Sequence, residues 1–197
     1  MSLRYALLAL LRVGPLSGYE LAKQFTQSVG HVWHAPDSQI YPELRKMEAD
    51  GLVEAEEQAR GERGTRRMYH VTDAGNQAFL DWMASPLEYQ RVRDPAHLRA
   101  AYLESASPDA ARAFFLRHIE QWEGELAQWE GEIRKIDLID PPNPMLERRL
   151  KASPVDEHER IVAYKHFTYE GLVERAKGEI AWAQRGLALV DKLDPSE

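Results

Sequence analysis

Apolar positions fall at helical spacing along most of this chain, with one interruption. The stretch SLRYALLALLRV is apolar on most sides and stops at Gly14 and Pro15, which predicts a first helix with a broad buried face. In PLSGYELAKQF, Leu21 and Phe25 repeat at helical spacing and Val29 follows one turn later. Ser17 and Glu20 stand at the Ser-x-x-Glu interval of a capping box, so a second helix begins there. After the loop GHVWHAPD, the stretch SQIYPELRKMEADG predicts a third. At about 100° per residue, Ile40, Leu44 and Met47 share one face, and Ser38, Pro42, Arg45, Lys46 and Ala49 lie roughly opposite. Proline suits a helix start, where the first N–H groups lack intrahelical partners. A start at Ser38 or Gln39 puts Pro42 at the end of the first turn, and Gly51 fits the C′ position.

The interruption follows. LVEAEE and RMYHV read as two strands of a long hairpin around a loop rich in glycine and arginine, and Thr72 caps a further helix, DAGNQAFLDWM. Three helices followed by strand, loop and strand is the order of a winged helix. There the third helix enters the major groove of DNA and the hairpin lies along the backbone or in the minor groove. Taken singly, the third helix is an ordinary amphipathic surface helix and the loop a solvated charged turn. Their succession favours the winged helix.

From about residue 86 the pattern changes. SPLEYQRVRDPAHLRAAYLES predicts one helix, with Asp94 as cap and Pro95 at N1, and SPDAARAFF restarts with Ser107 as cap and Pro108 at N1. Phe115, Ile119, Trp122, Leu126, Trp129, Ile133 and Ile136 then alternate spacings of four and three, a coiled-coil seam ended by DPPNP. A last helix begins near Ser153 and Pro154 and runs towards Leu193, with Gly171, Gly178, Trp182 and Leu189 along one stripe. Repeated glycine in a helix interior implies close approach of a neighbour. Trp122 and Trp129 are expected to fill the space beside Gly171 and Gly178 in an antiparallel hairpin; two unrelated amphipathic helices are the alternative.

Length and charge sharpen this picture. The 197 residues suit one domain or two small ones, and 44% hydrophobic content allows a core. No apolar run approaches 18 residues, so no membrane span is expected. Without cysteine there is no disulfide or thiolate chemistry, which fits the cytoplasm. A net charge of −7 argues against indiscriminate nucleic-acid binding, yet RGERGTRR concentrates Arg60, Arg63, Arg66 and Arg67 against the single acid Glu62. Such diffuse positive charge is what phosphate contact requires.

PLSGYELAKQF, SQIYPELRKMEADGLV and RRMYHVTDAGNQAF, in this order and at these separations, resemble the PadR family of bacterial transcriptional regulators. RAAYLE, SPDAA and FTYEGLVERAKGEIAW resemble the helical C-terminal dimerisation domain of its longer members. The resemblance implies a mainly α protein: an N-terminal winged helix-turn-helix with a small β-hairpin wing over residues 1–85, then an all-α antiparallel helical dimerisation domain over residues 86–197. It implies that Ser38, Gln39, Tyr41 and Pro42 lie at or near double-stranded DNA, with Arg45 and Lys46 alongside. Arg63, Arg66 and Arg67 of the wing are the expected phosphate contacts. Dimerisation is expected through Phe115, Ile119, Trp122, Leu126, Trp129, Ile133, Gly171, Gly178 and Trp182. The expected function is a repressor acting as a homodimer on a palindromic operator, the alternative a winged-helix adaptor that binds protein. Some members of the family respond to phenolic ligands, so a small aromatic effector is a partner to test for, and Trp33 lies near the DNA-reading helix.

Catalytic and metal chemistry is not legible. His31 and His34 are three apart without a Glu or Cys placed to complete a zinc site, and are read as part of a loop packed beside the third helix. Ser17 and Ser38 have no nearby base, and GERGTR lacks the Gly-Lys-Ser/Thr ending of a phosphate-binding loop. No cofactor is expected.

Overall fold

In the computed structural model, which describes residues 2–33, 35–60, 64–89, 93–137 and 144–194, the chain folds as two units, Met1–Glu88 and Tyr89–Glu197. The first runs α1 (Ser2–Leu11), β1 (Leu16–Ser17), α2 (Gly18–Gln27), a 3-10 turn (Val29–His31), α3 (Asp37–Ala49), β2 (Val53–Arg60), β3 (Gly64–Val71) and α4 (Asp73–Ala84). Its three apolar stripes meet. Leu7, Leu8 and Leu11 of α1, Leu21 and Phe25 of α2, and Ile40, Leu44 and Met47 of α3 are buried together with Val53 and Tyr69 of the sheet. Each large side chain so buried stabilises the unit by roughly 1.5–3 kcal/mol, which is what holds helices too short to stand alone.

The sheet is antiparallel, in the order β1-β3-β2. Its two-residue strand β1, pairing Leu16 with Tyr69 and Ser17 with Met68, was not anticipated, because two residues carry no alternation to read. The hairpin ladder runs from Val53↔Val71 to Arg60↔Gly64, so much of the expected loop is strand. Arg66 and Arg67 are therefore ladder residues opposite Gln58 and Glu57, not parts of a flexible turn.

Helix α3 begins at Asp37 behind an extended Pro36, so Pro42 lies in its second turn and not at the end of its first. It removes the N–H that would have reached the Ser38 carbonyl, which lies on an exposed surface where water can serve it. The other end is firm. Gly51 takes φ 72° and donates to the Glu48 carbonyl at 3.0 Å, while Leu52 N–H donates to the Met47 carbonyl at 2.9 Å, a Schellman motif. Thr72 then ties three elements: its N–H donates to the Leu52 carbonyl (3.1 Å), its hydroxyl donates to the Gly51 carbonyl (2.7 Å), and the same oxygen caps α4 by accepting from Gly75 N–H (3.0 Å).

The second unit contains α5 (Pro95–Ala100), a 3-10 turn (Leu103–Ser105), α6 (Pro108–Asp137), α7 (Pro144–Lys151), a 3-10 turn (Val155–Glu157) and α8 (His158–Leu193). The single helix expected within residues 85–105, capped by Asp94 with Pro95 at N1, is the short α5 followed by a 3-10 turn. Asp94 does cap α5, accepting from the N–H groups of Ala96 and His97, and the His97 N–H leads the effects that hold its carboxyl below the usual value. Helix α7 was not read from the proline-rich sequence; Leu146 buries it against Ile136 and Ile161.

Helices α6 and α8 form an antiparallel hairpin. Phe115, near the start of α6, packs with Ala183 and Val190, and Trp129, further along, packs with Tyr169, Val173 and Ala176. Ile119, Trp122, Leu126, Ile133 and Trp182 are partly buried against the same clusters. The α6 residues expected to dimerise thus pack inside one chain. The glycine expectation is overturned: a Cβ at Gly171 or Gly178 meets nothing within 4 Å. The tryptophans face the small residues of a parallel stripe instead, where Tyr169, Ala176, Ala183 and Val190 repeat every seven residues. The glycine met closely is Gly186, whose Cβ would stand 2.3 Å from Phe115. Gly171 and Gly178 fall within an arc of roughly 60° with the exposed Tyr164, Phe167 and Leu189, away from the hairpin seam.

Candidate nucleic-acid interface

Two short helices and a strand build one surface of the first unit. The capping box opens α2: Ser17 N–H donates to Glu20 Oε2 at 2.8 Å, and Glu20 N–H donates to Ser17 Oγ at 3.3 Å. Beside it the Tyr41 ring of α3 lies over Gly18, where a Cβ would stand 2.8 Å from Tyr41 Cε1. Gly18 therefore seats the first turns of α3 against the start of α2. The sequence reading missed this residue, although a signal existed: nothing about a capped helix start requires glycine at N1.

With Ile40, Leu44 and Met47 fully buried, the rest of α3 turns outward, and Ser38, Gln39, Tyr41, Pro42, Arg45 and Lys46 are all exposed. A shallow depression of about 640 Å³ lies between α2, α3 and β3. Tyr19 and Lys23 of α2, Tyr41 and Arg45 of α3, and Arg66 and Arg67 of β3 are among the side chains lining it. Lys23 was another residue the sequence reading passed over; its position one turn after Glu20 on an otherwise amphipathic helix gave no hint of the strand beside it.

The wing arginines are engaged. Arg66 donates through Nε and Nη2 to Gln58 Oε1 at 3.1 and 2.8 Å and reaches Glu20 Oε1 through Nη1 at 3.4 Å. Arg67 donates through Nη2 to Glu48 Oε1 at 2.6 Å, with its guanidinium 5.8 Å from the Tyr69 ring centroid. Arg63 lies outside the described residues. On the opposite side of α3, Arg4 neutralises two acids of the region, Glu43 at 2.9 Å and Asp50 at 2.7 Å. Burial works to lower the Arg4 guanidinium pKa, but the two carboxylates outweigh it and hold it above its usual value.

Val32 and Trp33, expected to be packed beside α3, are exposed: their segment lies outside the three stripes that form the core. The side chains of His31 and His34 fall outside the described residues, and among those described no group of three or more histidines and acids could hold a metal ion. The surface offers cations, hydroxyls and an amide. Such a set can hold phosphates through charge and read base edges through Gln39, Arg45 or Lys46.

Residues 7–81 match the Transcriptional regulator PadR-like family. The whole chain is 31% identical over 192 residues to the negative transcriptional regulator PadR of Bacillus subtilis, covering 96% of this chain and 98% of that protein. Two crystal structures of that regulator are similar to the fold. One, in complex with operator DNA, has a TM-score of 0.75 at 29% identity over 97% of this chain and 100% of the other. The second, in complex with p-coumaric acid, has a TM-score of 0.67 at 30% identity over 96% of this chain and 95% of the other.

Proposed function

The chain belongs to the PadR-like family of transcriptional regulators, and from that membership we infer that it is a sequence-specific DNA-binding repressor. It acts in the cytoplasm as a homodimer on a palindromic operator, and no catalytic step is part of this reading. One observation carries it: the burial of Ile40, Leu44 and Met47 forces the polar face of α3 outward beside the cations of α2 and β3. In this reading Ser38, Gln39, Tyr41, Pro42, Arg45 and Lys46 meet the major groove, and Arg66 and Arg67, with Arg63 beyond them in sequence, meet the backbone. The similar regulator crystallised with p-coumaric acid supports a small aromatic acid as the class of effector.

One recognition helix reads about half a turn of DNA, and a two-fold dimer sets two of them about 34 Å apart, one helical turn. The seam of α6 is occupied within its own chain, so the outer face of α8 is the better dimer contact. There Tyr164, Phe167 and Leu189 stand 65%, 70% and 53% exposed around Gly171 and Gly178, whose lack of side chains lets a second backbone come close. Among the described residues no helix is long and apolar enough to cross a membrane.

Fluorescence anisotropy with duplex DNA from upstream of the protein's own gene tests the reading. The variant carrying Arg45→Ala and Lys46→Ala should melt as wild type but lose about 1–3 kcal/mol of operator binding for each base-edge contact removed. Titrated p-coumaric acid should release the wild-type complex. Unaltered binding by the folded double variant would show that α3 does not read the operator.

A further inference from the structure

We propose that Glu20 and Glu48 are built-in counter-ions that restrain the phosphate-binding arginines of the wing and so limit binding to DNA of arbitrary sequence. The inference rests on the DNA-binding reading above and goes a step further, to two acids that no DNA contact requires.

Arg66 and Arg67 are neighbours on one strand, so their side chains leave opposite faces of the hairpin. Each nevertheless meets a carboxylate from a different helix. Glu20 of α2 lies 3.4 Å from Arg66 Nη1, and Glu48 of α3 lies 2.6 Å from Arg67 Nη2. Both arginines line the depression between those helices and the wing. All four side chains remain partly open to solvent, at 38% for Arg66 and Glu20, 49% for Arg67 and 31% for Glu48. These are exposed pairs, weak enough to be exchanged. A phosphate can replace the carboxylate, but the contact then yields only the difference between the two partners.

The consequence concerns specificity. Non-specific affinity comes almost wholly from phosphate contacts, and a genome offers a vast excess of wrong sites. Cations that must first leave an internal acid contribute little to such complexes. In a chain of net charge −7, two of the cations lining the depression are discounted in this way, while Arg45 beside them forms no ion pair among the described residues. Base contacts made by α3 then supply a larger share of total affinity.

Glu48→Gln and Glu20→Gln test this without dismantling the fold. Glutamine at position 20 can still complete the capping box with Ser17, and position 48 lies outside the buried face of α3. Anisotropy is measured with a short random-sequence duplex across a sodium chloride series, and with the upstream duplex as reference. Each variant should bind the random duplex about two- to five-fold more tightly at low salt. The slope of log affinity against log salt should steepen by up to about 0.9 for each arginine released. The effect of Glu48→Gln should vanish in an Arg67→Gln background. Unchanged affinity and slope, with melting curves intact, would overturn the proposal. Weaker binding would overturn it too, since the carboxylates would then be orienting the arginines towards phosphate. A wild-type protein that binds neither duplex would instead sink the DNA-binding reading, and this inference with it.

Discussion

Gly186 is the sharpest steric test of the second unit. An alanine Cβ there would stand 2.3, 2.4 and 2.7 Å from Cε1, Cζ and Cδ1 of Phe115, whereas ordinary contact begins near 3.4 Å. The ring would have to retreat by about 1 Å, and it is confined: Phe115 is 5% exposed and stands edge-on to both Trp182 and Phe114. Overpacking of this kind costs about 1–3 kcal/mol. Against it, alanine improves on glycine by about 1 kcal/mol in any helix interior. Gly124, in α6 with nothing within 4 Å of its Cβ, isolates that second effect. The difference in stability between Gly186→Ala and Gly124→Ala should therefore be about 1–3 kcal/mol, the steric part alone. Urea unfolding at one fixed protein concentration measures it, because the stability of the proposed dimer depends on concentration. Phe115→Leu should recover part of the loss in Gly186→Ala. If both alanine substitutions stabilise equally, Phe115 does not pack on Gly186, and the hairpin register described here is wrong.

Two further outcomes follow from the same geometry. Gly18→Ala should leave stability within about 1 kcal/mol, since the half-exposed Tyr41 ring can tilt away, but should weaken operator binding by displacing the first turns of α3; equal affinity would show that the Gly18–Tyr41 contact does not position the reading helix. Phe167→Asp should give a monomer by analytical ultracentrifugation while the hairpin keeps its helical circular dichroism, and a persistent dimer would place the contact elsewhere than the outer face of α8.

What the sequence disclosed divides along physical lines. The α2 capping box and the Gly51 end of α3 were legible because each is set by residues within one turn of one another. The buried face of α3 was legible because three large apolar residues at helical spacing leave no choice of face. The partner of the α6 tryptophans was not. Gly171 and Gly178 repeat every seven residues, and so do Ala176 and Ala183, so the period alone cannot tell which stripe meets α6. The structure decides for the alanines, and the glycines stay open. The acids that hold Arg66 and Arg67 were also hidden, because Glu20 lies 46 residues from the one and Glu48 lies 19 from the other. Only the strand extending through the wing brings them together.

Thr72 makes α3 a helix gripped at one end. Three hydrogen bonds rivet the tail of α3, the exit of β3 and the first turn of α4 into a single joint. The first turn of α4 is therefore tied to the end of α3 by hydrogen bonds and not by a loose connection. The opposite end of α3 is one backbone hydrogen bond short at Pro42 and is held by the packing of Tyr41 on Gly18. In the DNA-binding reading proposed above, the operator is met by the end of α3 that lacks this joint.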